Sequence, residues 1–413
     1  MNITFAYAVT TILAATLTAD TDNGTTTSTL IETSNETTDV FNSSVLAAEN
    51  ESSTQESAPS SRRQTYQPLV STEAKELVLD IIYCGLLPVV CVFGIVGNVM
   101  SFVVLYIQGS KERTNIILVA LAISDTLFLI TTLLRKVNHL VSKVDKNAAF
   151  DVNMIMQAQV LMLNMLFGRI TSALTMLIAI ERFIAVYFPL KAQFLLTPTR
   201  VKFAVVFLYV TLCATFAPLL NLYKITYVFS KRQQRIIPYI RVTQFYIDNA
   251  DFFDVYLDQI LNIMFRYTPM VLVCVFTVLV VLRIKRSSVW RRKTSQNTDK
   301  TKDEDRVTNM LVLVSCLYIS CLMPGTITVT LRFFIQGFNF VGRYSNLFNL
   351  MGGFILLLEC CNSSANFIVY MAMSKKFSST YKRVFLCRSP QARGLDVTAS
   401  PNTLASSLST IAK

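Results

Sequence analysis

The residues of this chain that can do chemistry sit where charge is costly, inside long apolar runs. Asp125 closes Leu121-Ala122-Ile123-Ser124-Asp125, and Asn98 stands in Gly97-Asn98-Val99-Met100-Ser101. Thr171 falls in a third run, and Asn362, Ser363 and Asn366 crowd the last one, which reads Asn362-Ser363-Ser364-Ala365-Asn366-Phe367-Ile368-Val369-Tyr370. An ionisable group in such a run marks function or an internal pair, because desolvating a charge is expensive. On helices at similar depth, these residues supply one carboxylate and several neutral oxygens. That set suits water and a small monovalent cation; it equally suits a neutral hydrogen-bonded core with Asp125 protonated. Glu181-Arg182 places a carboxylate beside a guanidinium at the end of the third run. Pro269 and Pro324 interrupt the fifth and sixth runs, where each removes a helix hydrogen bond and creates a hinge.

Such residues need long elements to carry them. Of 413 residues, 52% are hydrophobic and only 15% charged, whereas a soluble domain carries roughly 25% charged residues. One His and one Trp argue against a hydrolase or metal enzyme, whose sites draw on several histidines or paired thiols. Catalysis of covalent chemistry is not expected. The net charge of +12 does not require nucleic acid, because membrane proteins also concentrate Lys and Arg on their cytoplasmic side. Seven apolar segments lie near 77–107, 115–140, 154–187, 201–222, 256–284, 307–335 and 346–371. Each can cross about 30 Å of hydrocarbon at roughly 1.5 Å per residue. The chain reads as an all-α membrane protein with a seven-helix bundle over 77–371. Its connections are short except 223–255 and 285–306. Nine Lys and Arg fall in 283–306 and seven in 374–413, against five in 223–255. That bias puts the N-terminus outside and the C-terminus inside.

Residues 1–19 hold an apolar stretch ending in small residues and resemble a signal peptide. Residues 20–76 are a polar tract, read as a disordered, glycosylated extracellular segment with sequons at Asn23, Asn35, Asn42 and Asn50. No Cys precedes Cys84, so no disulfide-stapled module is expected there. Eight of the nine thiols lie in apolar runs and read as core packing.

With these motifs in this order, 70–386 resembles the rhodopsin-like (class A) G-protein-coupled receptors. The resemblance implies that Asn98, Asp125, Thr171, Asn362, Ser363 and Asn366 form a sodium pocket favouring the inactive state. It implies a switch of Glu181, Arg182, Glu304 and Tyr370, with Glu304 facing Arg182 until the pair breaks for a heterotrimeric G protein. Pro269 and Pro324 become the hinges of helices five and six. Lys375-Lys376-Phe377, with Tyr381 and Phe385, reads as an amphipathic membrane-surface helix within 372–387, and Cys387 as its palmitoylation site. The Ser/Thr-rich tail, 388–413, suits arrestin. Departures stand beside these matches: Gln157 replaces the usual extracellular Cys, Leu322 a Trp, Phe367 a Pro and Thr277 a Tyr. Without that disulfide, the outer face is expected to be held by packing alone.

Asn164 occupies the place of the amine receptors' Asp and Cys360 that of the opsins' Lys, which disfavours amines and retinal. Charge nevertheless marks the outer half: Arg135, Lys136, Arg169, Arg266, Arg332 and Glu359. Asp248, Asp251, Asp254 and Asp258 recur at three- and four-residue steps, which aligns them on one helical face able to meet a basic peptide. The competing reading is internal pairing, Glu359 with Arg169 and the Asp residues with Arg232 or Arg241. The phrases Glu181-Arg182-Phe183-Ile184-Ala185-Val186-Tyr187 and Asn362-Ser363-Ser364-Ala365-Asn366-Phe367 are similar to invertebrate neuropeptide receptors of the FMRFamide and myosuppressin kind. That likeness implies a plasma-membrane receptor for a short peptide. A chemosensory receptor for a small molecule, or a non-signalling binder or transporter, are the alternatives.

Overall fold

A computed structural model describes residues 69–109, 112–231, 233–294, 299–340 and 342–386, with side chains throughout except at Asp254, Asp258 and 287–305. The signal-like leader, the four sequons, Cys387 and the Ser/Thr-rich tail lie outside the described residues.

Seven helices are long and apolar enough to cross a membrane. Spans one to four are Thr72–Gln108, Arg113–Val141, Lys146–Tyr187 and Pro198–Asn221, and spans five to seven are Ile263–Arg286, Arg306–Phe334 and Ser345–Met373. A polar seam runs through the interior of the bundle, and its outer faces are apolar. Asn98, Ser124, Asp125, Thr171, Asn362 and Asn366 are buried, while Val89, Phe93 and Val96 of span one and Phe203, Phe207 and Val210 of span four are exposed. Outward apolar faces over an inward polar seam are what hydrocarbon selects, because lipid offers no partner to a polar group.

Span three is the axis. Its 42 residues extend roughly 60 Å, about twice the hydrocarbon thickness. It packs against spans two, four, five and six, while span one packs on two and seven. One core cluster joins spans two, three and four through Ile117, Leu121, Ile170, Leu174 and Phe216. A second joins spans one, two and seven through Leu87, Cys91, Leu129 and Cys360. A third sets Ala179 of span three against Met270 and Val273 of span five and Tyr318 of span six.

Span three starts eight residues before the expected 154, because Asp145 accepts from the backbone N–H groups of Asn147 and Ala148 and caps the helix there. The 285–306 connection is also largely helical. Helix continues from span five to Thr294 and resumes at Asp299 before span six.

Segment 223–255 is not a plain connection. Tyr223–Ser230 (β1) and Arg235–Val242 (β2) form an antiparallel hairpin, with Tyr223 opposite Val242 and Ser230 opposite Arg235. The β-branched and aromatic residues of Tyr223-Lys224-Ile225-Thr226-Tyr227-Val228-Phe229 suit a strand. Pro238 is tolerated because a two-stranded ribbon has only edges. Arg235 Nη1 donates to Asp151 Oδ2 at 2.6 Å and Nη2 to the Asn147 carbonyl at 3.2 Å, tying the hairpin to span three. This end of the molecule is therefore held by a ribbon and an ion pair, not by packing alone.

The single unbroken helix expected to align Asp248, Asp251, Asp254 and Asp258 is interrupted. Asp248 ends a short helix, Gln244–Asp248, and accepts there from Gln244 Nε2 at 2.8 Å. Asn249 leaves helical geometry, Asp251 is exposed in the next helix, Ala250–Val255, and a π-helical turn follows at Tyr256–Ile260. Three- and four-residue spacing aligns side chains only on one unbroken α-helix. The side chains of Asp254 and Asp258 lie outside the described residues. The thiols also differ from expectation: Cys91 and Cys360 are buried, but Cys213 and Cys316 face outward, where lipid accepts a small apolar group as readily as a core does.

After span seven, Ser374 caps the helix Lys375–Phe385, accepting from the Phe377 N–H. That helix docks by burying Phe377, by Gln108 Nε2 donating to Thr380 Oγ1 at 3.2 Å, and by a Lys376–Glu112 ion pair.

Candidate functional site

Three layers of polar side chains follow one another along the bundle. The middle layer centres on Asp125, which has no exposed surface. Thr171 Oγ1 donates to its Oδ1 at 2.9 Å and Asn366 Nδ2 to its Oδ2 at 2.8 Å, linking spans two, three and seven. Ser124 Oγ lies 3.1 Å from Thr171 Oγ1 and shares a hydrogen bond with it. Beside this knot Asn98 Nδ2 donates to the Ser363 carbonyl at 2.9 Å, bringing in span one. Asn98 Oδ1, Ser101 Oγ and the Tyr370 hydroxyl are buried without a hydrogen-bond partner. Asn362 is buried on the cavity wall above the knot.

Glycines bring span one this close. A Cβ on Gly94 would stand 2.1 Å from Ser364 Oγ, and one on Gly97 would stand 2.9 Å from Phe367 Cβ. Phe367, where the resemblance led one to expect Pro, fills the space over Gly97. It meets Phe377 and Tyr381 of the terminal helix edge-on, at ring distances of 6.2 and 5.7 Å.

The second layer lies where span three ends. Glu181 is 1% exposed. Its carboxylate accepts from Arg182 Nε at 2.5 Å, from Arg182 Nη2 at 2.8 Å and from Arg113 Nε at 2.9 Å. Arg182 Nη2 also donates to Thr114 Oγ1. Arg182 is thus turned toward its own helix and span two. Glu304 is helical, but its side chain is outside the described residues, so the expected Arg182–Glu304 contact is not placed. Sequence reasoning missed Arg113 and Thr114. Their only signal was a cationic and a hydroxyl residue at the start of the second apolar run. Nearby, the Tyr187 hydroxyl donates to the Leu279 carbonyl at 3.1 Å, tying span three to span five.

The third layer surrounds a cavity of about 300 Å³ toward the hairpin end. Arg135, Asn164, Arg169, Arg266 and Glu359 line its walls; Thr171 and Ser363 also line it, so it reaches down to the Asp125 layer. Arg135 Nη1 donates to Asn164 Oδ1 at 3.0 Å. The Asn164 amide in turn donates to Thr132 Oγ1 at 2.8 Å and Thr131 Oγ1 at 3.1 Å. Glu359 pairs with Arg266, not with Arg169, through a contact of 3.5 Å. Arg266 sits on the π-helical turn Ile263–Tyr267, ahead of Pro269. A Cβ on Gly325, the residue after Pro324, would stand 2.7 Å from Arg266 Nη2. The Arg266 end of the ion pair therefore lies close against Gly325 of span six.

Other expected ligand contacts lie elsewhere. Lys136 Nζ stands 4.3 Å over the Tyr83 ring, between spans one and two. Arg332 stacks on Phe333, and neither Arg332 nor Asp251 lines the cavity. Arg232 lies outside the described residues, as do the side chains of Asp254 and Asp258; Asp248 accepts from Gln244, and Arg235 takes Asp151 of span three.

Comparison with known proteins agrees with this architecture. A probable G-protein coupled receptor of Caenorhabditis elegans is 24% identical over 333 residues, covering 77% of this chain and 72% of that protein. The FMRFamide receptor of Drosophila melanogaster is 23% identical over 78% of this chain, which spans 55% of that receptor's length. The human thyrotropin-releasing hormone receptor is 26% identical over 76% of this chain and 78% of its own. The family model for the serpentine type 7TM GPCR chemoreceptor Srw matches residues 85–388, through all seven spans and the helix after them. The chain belongs to that family of G-protein-coupled receptors, which are multi-pass membrane receptors and not enzymes.

Proposed function

We propose that this protein is a plasma-membrane receptor for a short peptide, with the hairpin end outside and Arg182 facing a cytoplasmic heterotrimeric G protein. The observation that carries the reading is the Arg266–Glu359 pair, which joins spans five and seven in the cavity wall, beside Pro324-Gly325 of span six. A ligand that alters this pair has differential contact with two positions of spans five and six, which is what a population shift requires. Two relatives named above are receptors for peptides, and the Lys and Arg distribution supports the orientation.

The residues around Asp125 fit a sodium ion. A carboxylate offers about four lone-pair sites; Thr171 and Asn366 donate to two of them, the Ser363 hydroxyl stands beside the group, and Asn98 Oδ1 is buried and unpartnered. Bound sodium would supply positive charge against the Asp125 carboxylate. Glycosylation of the N-terminal sequons, palmitoylation of Cys387, arrestin binding by the tail and membrane-surface contact by the helix Lys375–Phe385 belong to the same reading.

The test is calcium release in cells carrying promiscuous G proteins, challenged with a neuropeptide library. A peptide response that disappears in Arg182→Ala at unchanged surface expression supports the reading. An unchanged response in Arg182→Ala removes Arg182 from the mechanism. The small size of the cavity favours a second reading, a chemosensory receptor for a small molecule, because about 300 Å³ is at the lower end for ligand sites. Silence toward all peptides, with a response to small molecules, selects it.

A further inference from the structure

Arg135, Arg169 and Arg266 reach one cavity from spans two, three and five, and Glu359 is the single carboxylate among its described lining residues. We propose that this cavity is an anion site that takes a carboxylate between Arg169 and Arg266. The inference rests on the ligand-binding reading above and names the chemistry of the ligand.

Compensation of the three guanidiniums is incomplete. Glu359 meets Arg266 through one contact at 3.5 Å, whereas the pairs Arg182–Glu181 and Arg235–Asp151 close to 2.5 and 2.6 Å. Arg135 meets only the neutral amide oxygen of Asn164, and its Nε is buried without a partner. Arg169 has no hydrogen bond or ion pair among the described residues and faces the cavity. Of the described acidic residues before span five, Asp248 and Asp251 do not line this space. Guanidinium groups cannot shed their charge, so the site keeps an excess of two positive charges in a membrane-embedded pocket.

Geometry selects a carboxylate over an amide. A carboxylate offers two charged acceptor oxygens that match the guanidinium fork. An amide offers one neutral oxygen and leaves the excess positive charge uncompensated, and the carboxylate that could accept from its N–H groups, Glu359, is already engaged with Arg266. The apolar body of the ligand has a place as well: the rings of Phe340 and Phe348, 4.7 Å apart edge to face, line the same cavity. A volume of about 300 Å³ holds an acid the size of one residue. The carboxylate can come from the free C-terminus of a peptide or from a small organic acid.

The test is the thermal melting of full-length receptor purified in detergent, at matched ionic strength, with three probes: acetyl-phenylalanine, its primary amide, and succinate. A ligand that binds only the folded state raises the melting temperature. Millimolar acid is expected to raise it by several degrees and the amide to leave it unchanged. A shift with acetyl-phenylalanine alone assigns the carboxylate to a peptide C-terminus; a shift with succinate alone assigns it to a small acid. Arg169→Gln and Arg266→Gln should lose the shift and Arg169→Lys retain part of it. Without ligand, Arg169→Gln should melt no lower than the parent, because it removes an unpaired charge. An equal shift with the amide, no shift with either acid, or an Arg169→Gln protein that fails to fold overturns the proposal. Activation by amidated peptides without any acid-induced shift sinks the carboxylate site and leaves the peptide receptor standing. An acid-induced shift with no response to any peptide does the reverse.

Discussion

Glu181 is one buried carboxylate held by two guanidinium groups. It receives Arg182 from its own helix and Arg113 from span two, and it is almost fully shielded from water. A hydrogen bond to a charged group in such a place contributes about 1.5–3 kcal/mol. Glu181→Gln should release Arg182 and raise ligand-free signalling roughly tenfold, the equivalent of about 1.4 kcal/mol. Arg113→Ala should do so more weakly, since Arg113 is 30% exposed and solvent already screens it. Basal G-protein signalling at equal surface expression measures both; no rise in Glu181→Gln would show that the pair does not restrain Arg182. The adjacency of Glu181 and Arg182 was legible in the sequence. Arg113, 68 positions away, was not, because only helix packing brings it near. Tyr223 at the root of the hairpin offers a second check. Its hydroxyl is buried and unpartnered, and burial pushes its pKa from near 10 up to about 12. The folded state thus holds the phenolic proton more tightly than the unfolded chain. The resulting stabilisation is complete below pH 10 and is lost as pH rises toward about 12. Tyr223→Phe should remove that alkaline loss and, at neutral pH, leave the receptor as stable or up to about 1 kcal/mol more so. Melting curves across alkaline pH decide it, and a large loss at neutral pH would contradict the unpaired hydroxyl.

Between helices, close approach matters more than polarity. Spans one and seven meet at Gly94 and Gly97, where any Cβ would overlap Ser364 or Phe367. Small residues at such crossings let backbones approach within a membrane, where no hydrophobic drive brings helices together. Gly94→Ala should cost about 1–3 kcal/mol through overpacking. Gly85→Ala, nine residues earlier on the same span with nothing within 4 Å of its Cβ, should stay within about 0.5 kcal/mol of the parent. Equal melting temperatures for the two variants would refute a tight crossing. The positions of the spans followed from hydropathy, since each must match the bilayer. The hairpin and the π-helical turns did not. A two-stranded ribbon has too short a period to stand out in 223–255, and a π-turn is one extra residue in a helix that hydropathy reads as continuous.

Taken whole, the molecule is a bundle whose polar groups have been drawn inward until four spans share one layer around Asp125. A cation there would bind only the assembled bundle, so its effect is on global stability. The melting temperature should be higher in sodium chloride than in equal N-methylglucamine chloride. At ten times the dissociation constant the gain is about 1.4 kcal/mol. Asp125→Asn should abolish the difference. Identical curves for the parent in both salts would leave this layer a neutral hydrogen-bonded core. The cavity reaches this layer through Thr171 and Ser363, and Pro324's neighbour Gly325 lines its wall.

Hydropathy and the order of polar motifs along the chain were enough to determine seven helices, the membrane, the receptor family, and the grouping of Asn98, Asp125, Thr171, Ser363 and Asn366. Those properties depend on local composition and on a period that a helix imposes on its own residues. Only the tertiary structure decided which charges meet. Glu359 took Arg266 in place of Arg169, Asp151 took Arg235, Glu181 gathered Arg113, and Asp248 and Asp251 were kept out of the cavity. Pairing between helices depends on their rotation and crossing, which are set by glycine contacts and by breaks such as Asn249. No one-dimensional spacing encodes these.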